Sequence, residues 1–561
     1  LPRLFTWQAD PRFPRRGFHL HTLHPTELAE HLANPDHPGA LAGVREYVDW
    51  LARNQQNIMQ FYLVRTVDRR RWPGHARAIV SHAHSRGVRV GVAFSLSMLQ
   101  QQAFQAMHPL RFHPSYRRQI DDSLAWLFQI PWDFVTMEPT LGEHLPDLAA
   151  LLPKTHSHLI TTATGTYRTP VFYATHVIRR RRDSTLPSPD RPGTGVLIHT
   201  VMNYAVTEEA APVYGNRDLR FMLERAERER KLRETWFWPE SSYWVAYDTS
   251  VPLFLLSYLQ ARWTDMQTMA GLGIAGHLTF SSGWEWGYWL TDWSIARWSW
   301  QHRINGRAVP QGPTDCLELL FPHRDMAVIW RTALAVENEY LKERGLIAYL
   351  AAAPPFAEMP RLLRRPFQPT PPFTYRRLFR QASRDEASAA LSPAIAGLTL
   401  YGSHLEQLCR NLDRAMERHF SSHGADPRLA LAREVRTGLA MTALRARHRA
   451  LTLKALVLLK PGAAHAAAAR QAGLRALADA AALRRQALAL VAAQESRYRY
   501  PVEDIARRRP SMTAYQFGYL YPVSTLHFWE REEEQVRSGR FDPFFMNIWD
   551  FRRILGLESL W

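Results

Sequence analysis

Over roughly the first 300 residues, short apolar runs alternate with longer stretches whose apolar side chains recur every three or four positions. Side chains repeat every two residues along a strand and every 3.6 along a helix, so the two patterns read as strands and amphipathic helices in turn. The strand-like runs are 17–21, 58–64, 88–96, 134–137, 159–163, 196–201, 235–238 and 277–281. Helical spacing shows best at 41–53, where Leu41, Val44, Val48 and Leu51 share a face. It recurs at 75–85, which stops at Gly87 as helices often do at a glycine, at 115–128, and in the charge-dense 218–230. Eight strands with intervening helices in this length predict a (β/α)8 barrel over residues 1–305. A doubly wound open sheet is the alternative, but it needs a glycine-rich phosphate loop after the first strand, and none follows 17–21.

Beyond residue 305 the rhythm changes. Residues 306–374 read as a proline-rich connecting segment, with Pro354, Pro355, Pro371 and Pro372 among its prolines. Residues 375–561 read as a mainly α-helical region ending in an aromatic-rich tail. Asp426-Pro427 marks a helix start, with aspartate as the cap and proline at the first helical position. The stretch 463–493 is rich in alanine, the best intrinsic helix former. The tail carries Phe528 and Trp529 among many aromatics, which predicts that it packs back on the protein.

The balance of 46% hydrophobic and 22% charged residues belongs to a chain with a substantial core. A net charge of +18 favours anionic partners: nucleic acid, acidic lipid or acidic polysaccharide. The arginines are spread out apart from the run 179–182, and no nucleic-acid-binding motif accompanies them, so no nucleic-acid partner is expected. No apolar run is long enough to cross a membrane. Leu1 rather than Met opens the sequence, which fits a removed signal peptide and a periplasmic or extracellular location. Cys316 and Cys409 are read as two buried thiols or one bridge. The 19 tryptophans suit either a large aromatic core or a site where flat rings stack on sugars.

In a (β/α)8 barrel the reactive groups sit at the carboxyl ends of the strands. His19, His21 and His24 follow the first strand, and Glu138 and Glu143 the fourth. His199 and Asn203 fall at the sixth, Glu240 and then Asp248 at the seventh, and Glu285 at the eighth. Carboxyl groups after strands four and seven suit glycosidic bond cleavage. One protonates the leaving oxygen, and the other attacks the anomeric carbon or activates water. Each residue also has a purely structural reading, as a helix cap, a loop anchor or a hydrogen-bonded core group.

Arg16-Gly17-Phe18-His19, and the stretch 47–57 that ends on Asn57 before Ile58, resemble the (β/α)8 glycoside hydrolases, distantly the hexosaminidase and α-glucuronidase group. The resemblance implies a general acid after strand four, Glu143 or Glu138, and a nucleophile or base after strand seven, Glu240. Two departures stand out. Met137-Glu138 replaces the Asp-Glu pair of hexosaminidases, which argues against assistance from a substrate N-acetyl group, and the Asn-Glu pair of many retaining enzymes is absent. His19-Leu20-His21 also resembles the opening motif of metal-dependent amidohydrolases. Their further histidine after strand five and aspartate after strand eight are missing, so neither a metal nor another cofactor is expected.

The sequence therefore predicts a glycoside hydrolase acting on a carbohydrate, including an acidic polysaccharide, with Glu240, Glu143 and Glu138 as catalytic candidates. Trp238, Glu285, Trp284, Trp286, His199, His19 and Asp248 are the candidates for substrate binding. The rival reading is a non-catalytic barrel serving as a binding or scaffold subunit of a larger assembly.

Overall fold

The computed structural model describes residues 6–22, 28–98, 103–139, 153–175, 192–200, 204–211, 217–241, 253–281, 288–350, 375–420, 426–461, 466–497 and 525–541. The strands are β1 (Trp7–Pro11), β2 (Arg15–Leu20), β3 (Ile58–Tyr62), β4 (Arg89–Ser95), β5 (Phe134–Glu138), β6 (Val171–Thr175), β7 (Thr194–Thr200), β8 (Glu234–Pro239), β9 (Gly276–Ser281), β10 (Trp300–Ile304) and β11 (Arg307–Ala308). Strands β2 to β9 form a closed barrel in sequence order, each parallel to its neighbours. Among the described residues, helices lie between consecutive barrel strands everywhere except between β6 and β7, and the closed parallel barrel bears out the (β/α)8 expectation. β1 joins β10 and β11 in a small antiparallel sheet.

Seven of the eight expected barrel strands fall where the pattern placed them. The fifth does not. Residues 159–163 belong to helix Pro153–Thr161 and the π-helical turn Thr162–Thr166 that follows. Leu159, Ile160 and Ala163 are buried on one helical face. The threonines that gave the segment a strand-like look bond their own helix: Thr161 Oγ1 donates to the Ser157 carbonyl and Thr164 Oγ1 to that of Ile160. The fifth barrel strand is β6, reached through Arg168 in a left-handed conformation (φ 53°).

The lower barrel is filled by rings. Ile58, Phe134, Phe172, Leu197, Trp236, Trp238, Leu278 and Phe280 form a cluster of their own inside it. Glycines make the room: a Cβ on Gly91 would meet the Phe134 ring at 2.3 Å, and one on Gly195 would meet Phe172 at 2.3 Å. Because side chains alternate, the residues above these rings on the same faces point into the barrel as well. That geometry turns His19, Gln60, Thr136, Glu138 and His199 inward.

Beyond the barrel, the described part of 306–350 is largely helical, including helix Arg324–Glu337. Helices Arg384–Phe420, Pro427–Leu459 and Ala466–Glu495 pack side by side. Asp426 caps the second of them by accepting from the Arg428 N–H at 2.9 Å. Helix His527–Ser538 returns from the tail and buries Phe528 and Trp529 completely. Glu532 on it pairs with the buried Arg445 at 2.6 and 2.7 Å. Cys316 and Cys409 are separate buried thiols. No described helix is long and apolar enough to cross a membrane.

Candidate active site

The site grows out of the layer above the aromatic rings. Thr136 donates its hydroxyl to Gln60 Oε1 at 2.6 Å, which orients that amide. Gln60 Nε2 then faces His19 Nδ1 at 2.7 Å. An amide nitrogen only donates, so His19 Nδ1 accepts and its ring proton sits on Nε2. Nε2 faces His21 Nδ1 at 3.1 Å, and His21 in turn carries its proton on Nε2. A wholly buried polar chain from strands β5 and β3 thus sets the tautomer of both histidines. Phe280 stacks on His21 at 4.3 Å, and Trp238 meets His19 edge-on at 5.3 Å. His19 and His21 both face the barrel interior, which the alternation of side chains alone left open.

Glu138 is the last residue of β5. Its carbonyl accepts from the Leu96 N–H at 2.9 Å and the Ser95 hydroxyl at 3.3 Å. Its buried side chain lies beside Tyr62, whose phenol burial and the Glu138 charge hold well above the usual tyrosine range. Glu240 follows β8 directly. Its N–H donates to the Thr200 carbonyl at 3.1 Å, and its own carbonyl accepts from Arg262 Nη1 at 2.9 Å. Its carboxylate lies 3.5 Å from His199 Nε2. His199 Nδ1 faces the Trp238 carbonyl at 2.9 Å, so that nitrogen donates and Nε2 is the one presented to Glu240.

Supporting residues complete the arrangement. Asp292, on helix Tyr288–Trp298, accepts from the hydroxyls of Ser241 and Ser281 and so ties the ends of β8 and β9 together. Burial pushes its carboxyl up to about 7 against the two hydroxyls that favour the charged form. Arg262 also donates to the Tyr204 carbonyl at 2.6 Å and meets Asp265 at 3.0 Å, all of it buried. Asp265 is raised to about 6, again by burial.

Among the sequence candidates, Glu138, His19, His199, Trp238 and Glu240 lie at this end of the barrel. Trp238 is fully buried among His19, His199 and Phe280, where it packs the floor of the polar layer. Glu143, Asp248, Trp284, Glu285 and Trp286 lie outside the described residues, as does His24. Sequence reasoning missed Gln60, Tyr62, Thr136 and Arg262, while Asp292 is visible in the sequence as a lesser carboxylate candidate beside Asp248. For Gln60 and Thr136 a signal existed: each is a polar residue at an inward position of an otherwise apolar strand.

No protein-family profile and no curated protein matches the sequence. Solved structures resemble its fold. A GH138 enzyme targeting pectin rhamnogalacturonan II aligns over 95% of this chain and 69% of its own, with a TM-score of 0.53 at 10% identity. The fold is that of the (β/α)8 glycoside hydrolases. The GH84 protein CpGH84B aligns over 85% of this chain and 74% of its own, with a TM-score of 0.36 at 10% identity. A β-N-acetylhexosaminidase from Bacteroides fragilis aligns over 56% and 70%, with a TM-score of 0.34 at 12% identity.

Proposed function

We propose that this glycoside hydrolase-like barrel cleaves a glycosidic bond, with Glu138 as the general acid and Glu240 as the nucleophile or base. The observation that carries this is the pair of buried carboxyl groups at the ends of the fourth and seventh barrel strands, each set by its own partner. Glu138 would give its proton to the leaving oxygen as the anomeric C–O bond breaks. Glu240 would supply an electron pair to the anomeric carbon, or take a proton from the attacking water. His199 would orient the Glu240 carboxylate, and Glu143 stands as the alternative acid. The net charge of +18 supports an acidic polysaccharide as substrate, and a polysaccharide substrate suits a periplasmic or extracellular setting.

Turnover of a panel of neutral and acidic glycans, with Glu240→Gln beside the unaltered protein, tests the reading. The expected result is a loss of at least about a hundredfold on substitution, with the circular dichroism spectrum unchanged. Turnover indifferent to Glu240→Gln would remove that residue from the chemistry. No turnover on any glycan would leave the barrel as a binding or scaffold subunit.

A further inference from the structure

An open groove of about 810 Å³ lies outside the barrel, between the first turn of helix Arg324–Glu337 and the last turns of helix Arg384–Phe420. Arg324 lines one wall, and Arg414 and Arg418 line the other. The imidazoles of His323 and His419 stack between the walls, 3.8 Å apart and 7° from parallel. Among the described residues of the lining Asp325 is the acidic one, and it accepts from Arg418 at 3.0 Å and faces His419 Nε2 at 2.9 Å. Its charge is thereby committed to Arg418 and His419.

Arg324 and Arg414 are different. Both are exposed, and among the described residues neither forms an ion pair. Arg414 reaches only the Asn411 side-chain oxygen, at 2.8 Å, and a carbonyl of its own helix. Two uncompensated guanidinium groups therefore flank one groove, one on each helix. A guanidinium fork matches the two oxygens of a carboxylate or a phosphate. Among the described residues the lining holds no Trp, Tyr or Phe on which a neutral sugar ring would stack, and charge is what those residues offer a ligand. Asn411 adds a polar side chain for hydroxyl groups.

We propose that this groove is a second glycan site, binding a carboxylate-bearing oligosaccharide through Arg324 and Arg414. The identity of the ligand rests on the acidic-glycan part of the functional reading, and not on catalysis in the barrel. The groove would hold an acidic chain beside the enzyme while the barrel acts elsewhere along it.

Calorimetric titration of the full chain tests this with three probes: a uronic-acid oligosaccharide, its carboxyl-reduced neutral counterpart, and inorganic phosphate. Hydrogen exchange over 322–329 and 411–419 locates the binding. The acidic oligosaccharide is expected to bind and protect those segments, and the neutral one to do neither. Arg324→Gln and Arg414→Gln should each weaken binding about tenfold. In Glu240→Gln protein the protection should persist, which separates failure of the barrel chemistry from failure of the groove. Absence of protection, or protection that survives Arg324→Gln with Arg414→Gln, overturns the proposal. Phosphate binding as tightly as the glycan on the same arginines overturns the glycan assignment.

Discussion

Arg262 donates from the interior to the carbonyls of Glu240 and Tyr204, and its charge is met by Asp265 at 3.0 Å. Arg262→Leu would leave a buried carboxyl group and two carbonyls without that donor. Such a break costs about 3–5 kcal/mol, read as a lower urea midpoint, and the double change with Asp265→Leu should recover part of it. Asp292 makes a pH prediction. Burial raises its folded-state pKa to about 7, while the unfolded chain titrates near the ordinary aspartate value. The folded state then binds the extra proton, so this contribution to stability is full in acid and is lost as pH rises to about 7. Asp292→Asn should flatten that part of a urea-midpoint profile between pH 4 and 8; an unchanged slope would show that the group titrates normally. Glu138 and Glu240 were legible in the sequence because their distance from a strand end suffices to place them. Arg262 was not. Arg262 serves Glu240 from a helix 22 residues further on, and only tertiary packing brings the two together.

Among the elements, β6 shows why one barrel strand escaped the pattern. Its expected position, 159–163, combines β-branched threonines with a short apolar run, and periodicity alone does not separate a buried strand from a buried helix at that length. The decision lies in the i−4 hydroxyl bonds of Thr161 and Thr164, which satisfy the side chains within a helix. The inner packing of the barrel was also hidden, because glycine in a strand reads as weakness until the facing ring is known. Gly91 and Phe134 make this testable. An added methyl group 2.3 Å from the ring forces a shift, so Gly91→Ala should lower stability by about 1–3 kcal/mol in urea denaturation. Phe134→Leu in the same chain should restore part of the loss, whereas an equal loss with either residue at 134 would place the strain elsewhere.

Across the whole molecule, the helices after the barrel hold its seventh helix in place. Glu337, on helix Arg324–Glu337, accepts from the backbone N–H groups of Leu256 and Ser257 at 2.8 and 2.6 Å. These groups open helix Ser257–Gly271, whose first turn has no acidic residue of its own. The same helix carries Arg262, so a carboxyl group outside the barrel is linked through one rigid element to the Glu240 backbone. Thr442 adds a second tie, accepting from the Phe254 N–H at 3.2 Å and donating to its carbonyl at 3.1 Å. Nothing in the local pattern around Glu337 signals this role, since its partners lie about 80 residues away. Glu337→Ala would strand two buried donors and should cost about 2–4 kcal/mol. Burial also raises the Glu337 carboxyl to about 7, above its unfolded value, so its contribution too is full in acid and declines as pH rises toward 7. Glu337→Gln should keep part of the cap while removing that decline, so the urea midpoints of the variant and the unaltered chain should converge as pH is raised from 5 to 8. If Glu337→Ala instead left stability untouched, the coupling between the two regions would not run through this helix.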